Sequence, residues 1–312
     1  MSQFRQDPIA GYWVAISEER RGRPLDFKPE LVRSRQTAAC PFCVGNEHLT
    51  PGSVLSYPGS VPGSWRLRVI PNKYPAIRQE SGGIHEVIVE SGEHRVSLGE
   101  LSVGSAVDLL TAAGERIRAM AASPDVRYVQ WFKNNGPGAG ASLEHTHSQL
   151  LALPVVPPQV ELELAGCRNY FERLARCYFC DLAEGPRDLV ISADTETAVL
   201  APFAPRVPYE TWIVPRRHVS NFERADPESI QAVAERLHWA IIRLEQVLDR
   251  PDYNVVLHTA PLREEPSASY HWHLEILPRV SGIGGFEWGT GCHVHSVPPE
   301  ESTRRMRWEA RE

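Results

Sequence analysis

Two Cys-x-x-Cys pairs, Cys40/Cys43 and Cys177/Cys180, lie 137 residues apart, and each precedes strand-like segments, one long amphipathic pattern and a His-x-His strand. The closing strands set the register of this repeat: His145, His147 and Gln149 correspond to His271, His273 and Glu275, each 126 residues further on. A chain of 312 residues, 42% hydrophobic and 23% charged, is long enough to bury a core in each copy. HEVIVES (85–91), ETWIVP (210–215) and YNVVLH (253–258) are short and rich in β-branched or aromatic residues, so they read as strands. One helix is expected within Leu98 to Ala122, and its counterpart after Asp226-Pro227, an N-cap followed by proline at the first helical position. The expected class is α+β: two related halves, 1–165 and 166–312, whose antiparallel sheets pack with helices and merge into one extended sheet. The proline-rich PVVPPQVELE (154–163) is read as the crossover, with the boundary near Ala165.

The formal charge of −6 provides no basic field, which argues against nucleic acid or an acidic membrane surface as partner. No apolar run approaches ~18 residues, and MSQFRQDPIAGYW lacks the regions of a signal peptide, so a cytoplasmic location is expected. In that compartment six cysteines are read as ligands or core residues rather than disulfides.

Two thiolates spaced as in CPFC can bind one tetrahedral ion from a tight turn, and two further ligands must come from elsewhere. His94 and His145 complete the first set, and His218 and His271 join Cys177 and Cys180 in the second. Sulfur and imidazole at four filled positions favour structural zinc at both, with iron the alternative occupant of the second. His258 is read as a ligand or supporting partner near the second site, and His48, His85, His238, His293 and His295 as surface or hydrogen-bonded core histidines.

In HTHSQ, period-two alternation sets His145, His147 and Gln149 on one face, roughly 6.6 Å apart. With His145 held by metal, His147 remains beside the glycine-rich NNGPGAGAS (134–142), where backbone N–H groups with Asn134 and Ser142 can cradle a phosphate. A neutral imidazole there suits a covalent phosphoramidate intermediate, with Gln149 donating to a nonbridging oxygen. Glu275 at the corresponding position would repel phosphate, so the chemistry is assigned to the first half.

DPIAGYWVAISEERRGRP, CPFC, RVIPNKYPA, HEVIVES, FKNNGPGAGASLEHTHSQ and HWHLEILPR, taken in this order, resemble the galactose-1-phosphate uridylyltransferases and their relatives across nearly the whole chain. The resemblance implies two histidine-triad-like halves, a homodimer with an active site completed across the interface, and nucleotidyl transfer through the second histidine of His-x-His. It further implies Arg20 and Arg23 as phosphate contacts and Asn72 near the base, with Asn134 and Ser142 near the α-phosphate. Thr146 stands where the best-known members carry proline, and Gly285 where a lysine is expected near the sugar phosphate. LALPVVPP, SGIGGFEWGTGC and the second Cys-x-x-Cys are more similar to the branch that includes ADP-glucose phosphorylase, which moves AMP from a nucleotide sugar to phosphate. Exchange of hexose 1-phosphates on UDP-glucose is the first reading by breadth of family, and adenylyl transfer to phosphate is the alternative. Two further readings are a histidine-triad hydrolase and a noncatalytic nucleotide sensor. Gln149 weighs against the first, because an amide cannot act as a general acid or base; an exposed nucleophile weighs against the second.

Overall fold

The computed structural model describes residues 2–22, 40–185, 187–265 and 267–307. An N-terminal arm forms β1 (Ser2–Gln6) and β2 (Trp13–Ser17), an antiparallel pair. In the turn between them the Asp7 carboxylate accepts from the N–H groups of Ile9 and Ala10. The first half supplies β3 (Leu55–Pro58), β4 (Trp65–Pro71), β5 (Ile84–Val89), α1 (Val103–Met120), β6 (Tyr128–Asn135) and β7 (His147–Leu153). Helices α2 (Pro158–Leu174) and α3 (Tyr178–Ala183) follow. The second half supplies β8 (Val190–Ala193), β9 (Thr197–Leu200), β10 (Thr211–Pro215), α4 (Pro227–Leu248), β11 (Tyr253–His258) and β12 (His273–Pro278). The chain then forms α5 (Gly285–Thr290), β13 (His293–His295) and α6 (Pro299–Met306).

Ten strands pair in the order β3, β4, β5, β7, β6, β11, β12, β10, β9, β8. The order is a mirror about the β6–β11 pair, which is where the two halves merge into one sheet, as expected from the repeat. The three strands and two long helices expected from composition and caps are present. Ser102 accepts from the Ser105 N–H at the start of α1, and Asp226 from the Ser229 N–H at the start of α4.

The crossover differs from its expectation as a linker, because residues 158–174 are helical and the helix runs through Ala165. Pro158 sits in the first turn, where its missing N–H has no partner to lose and its φ is already helical. Proline at a helix start thus resembles a linker in composition alone.

Alternation divides the faces of the sheet. Val69, Ile88, Trp131, Leu150 and Ala152 from the first half, with Val255, Leu274 and Ile276 from the second, bury against α1 and α4 in one core. In α4, Ile230, Val233, Ala234, Leu237, Ile241 and Leu244 recur at three- and four-residue spacing and face this layer. Burying each of the larger side chains contributes about 1.5–3 kcal/mol. Odd-numbered positions of β7, His147 and Gln149 among them, therefore face away from the helices. Among the described residues no helix is long and apolar enough to cross a membrane.

The arm does not extend the large sheet; β13 joins β2 in parallel, pairing Val14 with His293. It also lies against α2, where a Cβ added at Gly166 would stand 2.0 Å from the Ile9 carbonyl oxygen. Replacing a helical glycine by alanine usually stabilises by about 1 kcal/mol. Here Gly166→Ala is expected to destabilise by about 1–3 kcal/mol, the cost of overpacking. Denaturant unfolding measures the sign, and a stabilised variant would show that the arm is not held against this helix.

Candidate active site and metal centres

The tight turn at Cys40, closed by the Cys43 N–H bond to the Cys40 carbonyl, brings both thiols to one side. His94 and His145 approach from beyond β5 and before β7. Sγ of Cys43 lies 3.4 Å from His94 Nδ1 and 3.6 Å from His145 Nδ1, and Cys40 Sγ lies 3.5 Å from His145 Nδ1. His145 Nε2–H donates to the Ser91 carbonyl at 2.8 Å, which leaves Nδ1 as the lone-pair nitrogen facing the thiols. In the second half Cys180 Sγ lies 3.3 Å from His218 Nδ1 and 3.6 Å from His271 Nδ1, while His218 Nε2–H donates to the Ser267 carbonyl. Each Cys2His2 set has its four ligand atoms within 4.8 Å of one another. Tetrahedral bonds of ~2.3 Å to sulfur and ~2.05 Å to nitrogen place such atoms about 3.6 Å apart, so both sets fit one ion each.

His147, 6% exposed, stands at the start of β7 with its ring against Phe42, centroids 5.4 Å apart. Its Nδ1–H donates to the His145 carbonyl at 2.8 Å, so the unprotonated nitrogen is Nε2. Burial holds this imidazole below its ordinary pKa, favouring the neutral form that can attack phosphorus. Phe132 on β6 pairs with Gln149, and continuing that register sets Asn134 across from His147.

Gln149 Oε1 lies 2.8 Å from Nε2 of His85, and His85 Nδ1 accepts from the Ala76 N–H at 3.0 Å. The Asn72 N–H donates to the His85 carbonyl, and Asn72 Oδ1 accepts from the Tyr74 N–H. His85, read from the sequence as an ordinary histidine, thus joins Asn72 and Gln149. Its signal was available in the strand pattern: His85 has the parity of Val87, the residue paired with Gln149.

The glycine stretch is narrower as a cradle than expected. Gly136 has φ +83°, and a Cβ there would stand 1.8 Å from Asp252 Oδ1. The N–H of Gly138 donates to Asp252 Oδ2 at 2.6 Å, and those of Ala139, Gly140 and Ala141 bond within the turn. A carboxylate distant in sequence has taken one donor, and the turn itself three more, that composition offered to phosphate. Asn134 is held by Asn254, whose Nδ2 donates to its Oδ1 at 2.8 Å, and Ser142 is exposed at the end of the loop. Arg20 is exposed in the turn Glu18–Gly22, whose neighbour Arg21 bonds the Ser296 carbonyl. Within one chain this places Arg20 with the second half, and Arg23 lies outside the described residues.

Two buried networks were not anticipated. Lys133, fully buried, donates to Glu90 Oε2 and Thr146 Oγ1 at 2.7 Å each and to the His147 carbonyl at 3.2 Å. Thr146, between the two histidines in sequence, is thus tied into the Lys133–Glu90 pair through its hydroxyl, which donates to Glu90 Oε2. In the second half Arg206 pairs with Glu210 and Glu275, and His258 lies 2.7 Å from Glu163 and 3.0 Å from Glu275. Although burial opposes it, these two carboxylates raise the His258 pKa to about 10. Ligand atoms of Glu163, His258 and His273 also lie within 4.8 Å of one another, but a His258 cation already balances the carboxylates there. The space beside His273, the counterpart of His147, is thus occupied by the protein's own charged groups: His258 stacks on its ring, and Glu163 and Glu275 lie 3.7 and 3.8 Å from its Nε2.

Cys40→Ser and Cys177→Ser are each expected to lose about one metal ion per chain and to lower the unfolding midpoint, since structural metal binding contributes folding free energy. Metal analysis beside thermal unfolding checks both variants. Unchanged metal content in either one would remove that cluster from consideration as a metal site.

A family model described as a domain of unknown function (DUF4921) matches residues 79–311. An ADP-glucose phosphorylase from Arabidopsis thaliana is 36% identical over 98% of this chain and 92% of its own length. A galactose-1-phosphate uridylyltransferase from Thermotoga maritima is 27% identical over 98% of each chain. The crystal structure of an Arabidopsis thaliana ADP-glucose phosphorylase with bound ADP-glucose superposes with a TM-score of 0.90 at 36% identity, covering 99% of this chain and 100% of that one. Such similarity over the full length means that the chain belongs to the galactose-1-phosphate uridylyltransferase family, which includes ADP-glucose phosphorylase, and is an enzyme of the nucleotidyltransferase type.

Proposed function

We propose that this enzyme transfers AMP from ADP-glucose to inorganic phosphate through a nucleotidyl-His147 intermediate. The observation that carries this reading is the full-length similarity to ADP-glucose phosphorylase, at higher identity than to the Thermotoga uridylyltransferase. It reverses the order of preference set by the sequence, in which uridylyl exchange between hexose 1-phosphates came first.

In the first step Nε2 of His147 attacks the α-phosphorus, an N–P bond forms, and the bond to the bridging oxygen breaks, releasing glucose 1-phosphate. The hydrogen bond from Nδ1–H to the His145 carbonyl stabilises the imidazolium character that develops. A sugar phosphate leaves with a low pKa and needs no general acid, which suits Gln149. In the second step phosphate attacks the same phosphorus, giving ADP and free His147. Asn134 and Ser142 are assigned to the α-phosphate, Asn72 to the base, and Arg20 and Arg23 to phosphate groups.

We assign zinc to the two Cys2His2 sets, where it would fix the Cys-x-x-Cys turns and His145 without entering the reaction; the first-half set would hold His147 in register. A homodimer is proposed on family grounds. Arg20 would then serve a site shared between copies, and α5, with Trp288 80% and Phe286 53% exposed, offers apolar surface for contact. A cytoplasmic location accords with the reduced cysteines this assignment requires.

Incubation with radiolabelled ADP-glucose and no acceptor is expected to label the protein on His147 and release glucose 1-phosphate, and phosphate should then release ADP. The adduct should be acid-labile, and His147→Ala should retain metal but take no label. Crossing ADP-glucose and UDP-glucose with phosphate and galactose 1-phosphate identifies the preferred pair. Preference for UDP-glucose with galactose 1-phosphate would restore uridylyl exchange, and labelling of His147→Ala would remove the covalent mechanism.

A further inference from the structure

Gln149 can steady a phosphoryl oxygen only if its amide presents nitrogen rather than oxygen, and the two ends are nearly the same size. The side chain alone has no means of choosing. His85 supplies the choice. Because Nδ1 of His85 accepts from the Ala76 N–H, the neutral ring carries its proton on Nε2. The Asn72 amide nitrogen lies 3.2 Å from Nε2 and 3.4 Å from Nδ1, but the shorter contact of Nε2–H is to Gln149 across 2.8 Å, so the atom it meets there is the acceptor Oε1. The Gln149 NH2 group is then the end left for substrate. Burial lowers the pKa of His85, which favours the neutral ring this arrangement needs.

Strand geometry makes the contact. His85 pairs with Leu151 and Val87 with Gln149, so His85 and Gln149 are diagonal neighbours on one face of the β5–β7 ladder. The backbone of residues 72–76 wraps His85 from the other side, with the Asn72 N–H on its carbonyl and the Ala76 N–H on its ring. The matching pair in the second half departs from this arrangement. Trp212 pairs with Glu275 as Val87 pairs with Gln149, so Glu210 occupies the place of His85. There Arg206 bridges two carboxylates instead of one ring directing an amide.

We propose that His85 is a positioning residue, resting on the nucleotidyl-transfer reading, that fixes the polarity of the Gln149 amide toward the phosphoryl group and ties it to segment 72–76. Loss of His85 lets the amide turn over, and its oxygen then faces an anionic phosphoryl oxygen.

The test is a double-mutant cycle on single-turnover release of glucose 1-phosphate from saturating ADP-glucose, with metal content and melting temperature as controls. His85→Phe and Gln149→Ala are each expected to slow release by roughly tenfold, the loss of one hydrogen bond. The double variant should be no slower than Gln149→Ala, and KM for ADP-glucose should change much less than kcat. His85→Gln, whose amide reaches far enough to donate to Gln149, should recover part of the rate, whereas the shorter His85→Asn should not. That comparison also decides the matter if His85→Phe fails to fold. Multiplying effects in the double variant, or equal rates for the glutamine and asparagine variants, overturn the positioning role while leaving transfer intact. A wild-type enzyme that releases no hexose 1-phosphate from ADP-glucose or UDP-glucose overturns the transfer reading and this role together.

Discussion

The pairing of β6 with β11 is the interaction on which the candidate site depends. It joins the halves through Asn134 opposite Asn254 and Lys133 opposite Val255. From this seam Asn254 reaches across to Asn134 and to the Ala139 carbonyl, while Asp252, just before β11, accepts from Gly138. The loop before His147 is consequently shaped by the second half. That half has no nucleophile in the proposed reaction, yet separating it would leave residues 136–141 without the carboxylate that fixes them. Merging the two units is therefore part of how the site is made, as well as how the sheet edges are reduced.

The two Cys2His2 clusters and the long helices were legible in the sequence because their chemistry restricts residue identity. Paired cysteines at two-residue spacing, a His-x-His at fixed offset, and Asp-Pro before a periodic apolar run each have few structural meanings. What escaped depends on cross-strand register, which local pattern does not specify. His85 and Gln149 meet only because β5 lies beside β7 with Val87 opposite Gln149. Asp252 reaches Gly138 from 114 residues away, so glycine content alone overstated the donors free for an anion. Helical residues 158–174 were hidden for a different reason, since the same prolines open a helix or stiffen a linker.

Lys133 was missed although its strand gave a clue. Residues 129, 131 and 133 share one parity, and Val129 and Trp131 are plainly core. A lysine on that face must be buried with a partner, because an isolated ammonium in a core is prohibitively costly. Reading charge as exposure conceals this case. Its partner, Glu90, follows β5, and Thr146 interrupts the two histidines, so none of the three is adjacent to another in sequence.

The two copies explain what this buried network is for. Phe132 pairs with Gln149 as Val256 pairs with Glu275, which makes Leu257 the counterpart of Lys133. The repeat offset makes Trp272 the counterpart of Thr146, and β10 sets Pro215 against Glu90. The same place in the same architecture is thus apolar in one half and ionic in the other. Both Leu257 and Trp272 are buried in the main core, so the fold is satisfied without an ion pair there. Buried ion pairs are commonly no more stabilising than well-packed apolar residues of similar volume, because desolvation offsets their attraction. Stability therefore does not account for Lys133, Glu90 and Thr146 in the first half alone. What the apolar set cannot supply is the ammonium bond to the His147 carbonyl and the Thr146 hydroxyl, between the two histidines in sequence, bonded to both Lys133 and Glu90. These bonds hold the backbone carrying the proposed nucleophile, in the half where its position matters for chemistry.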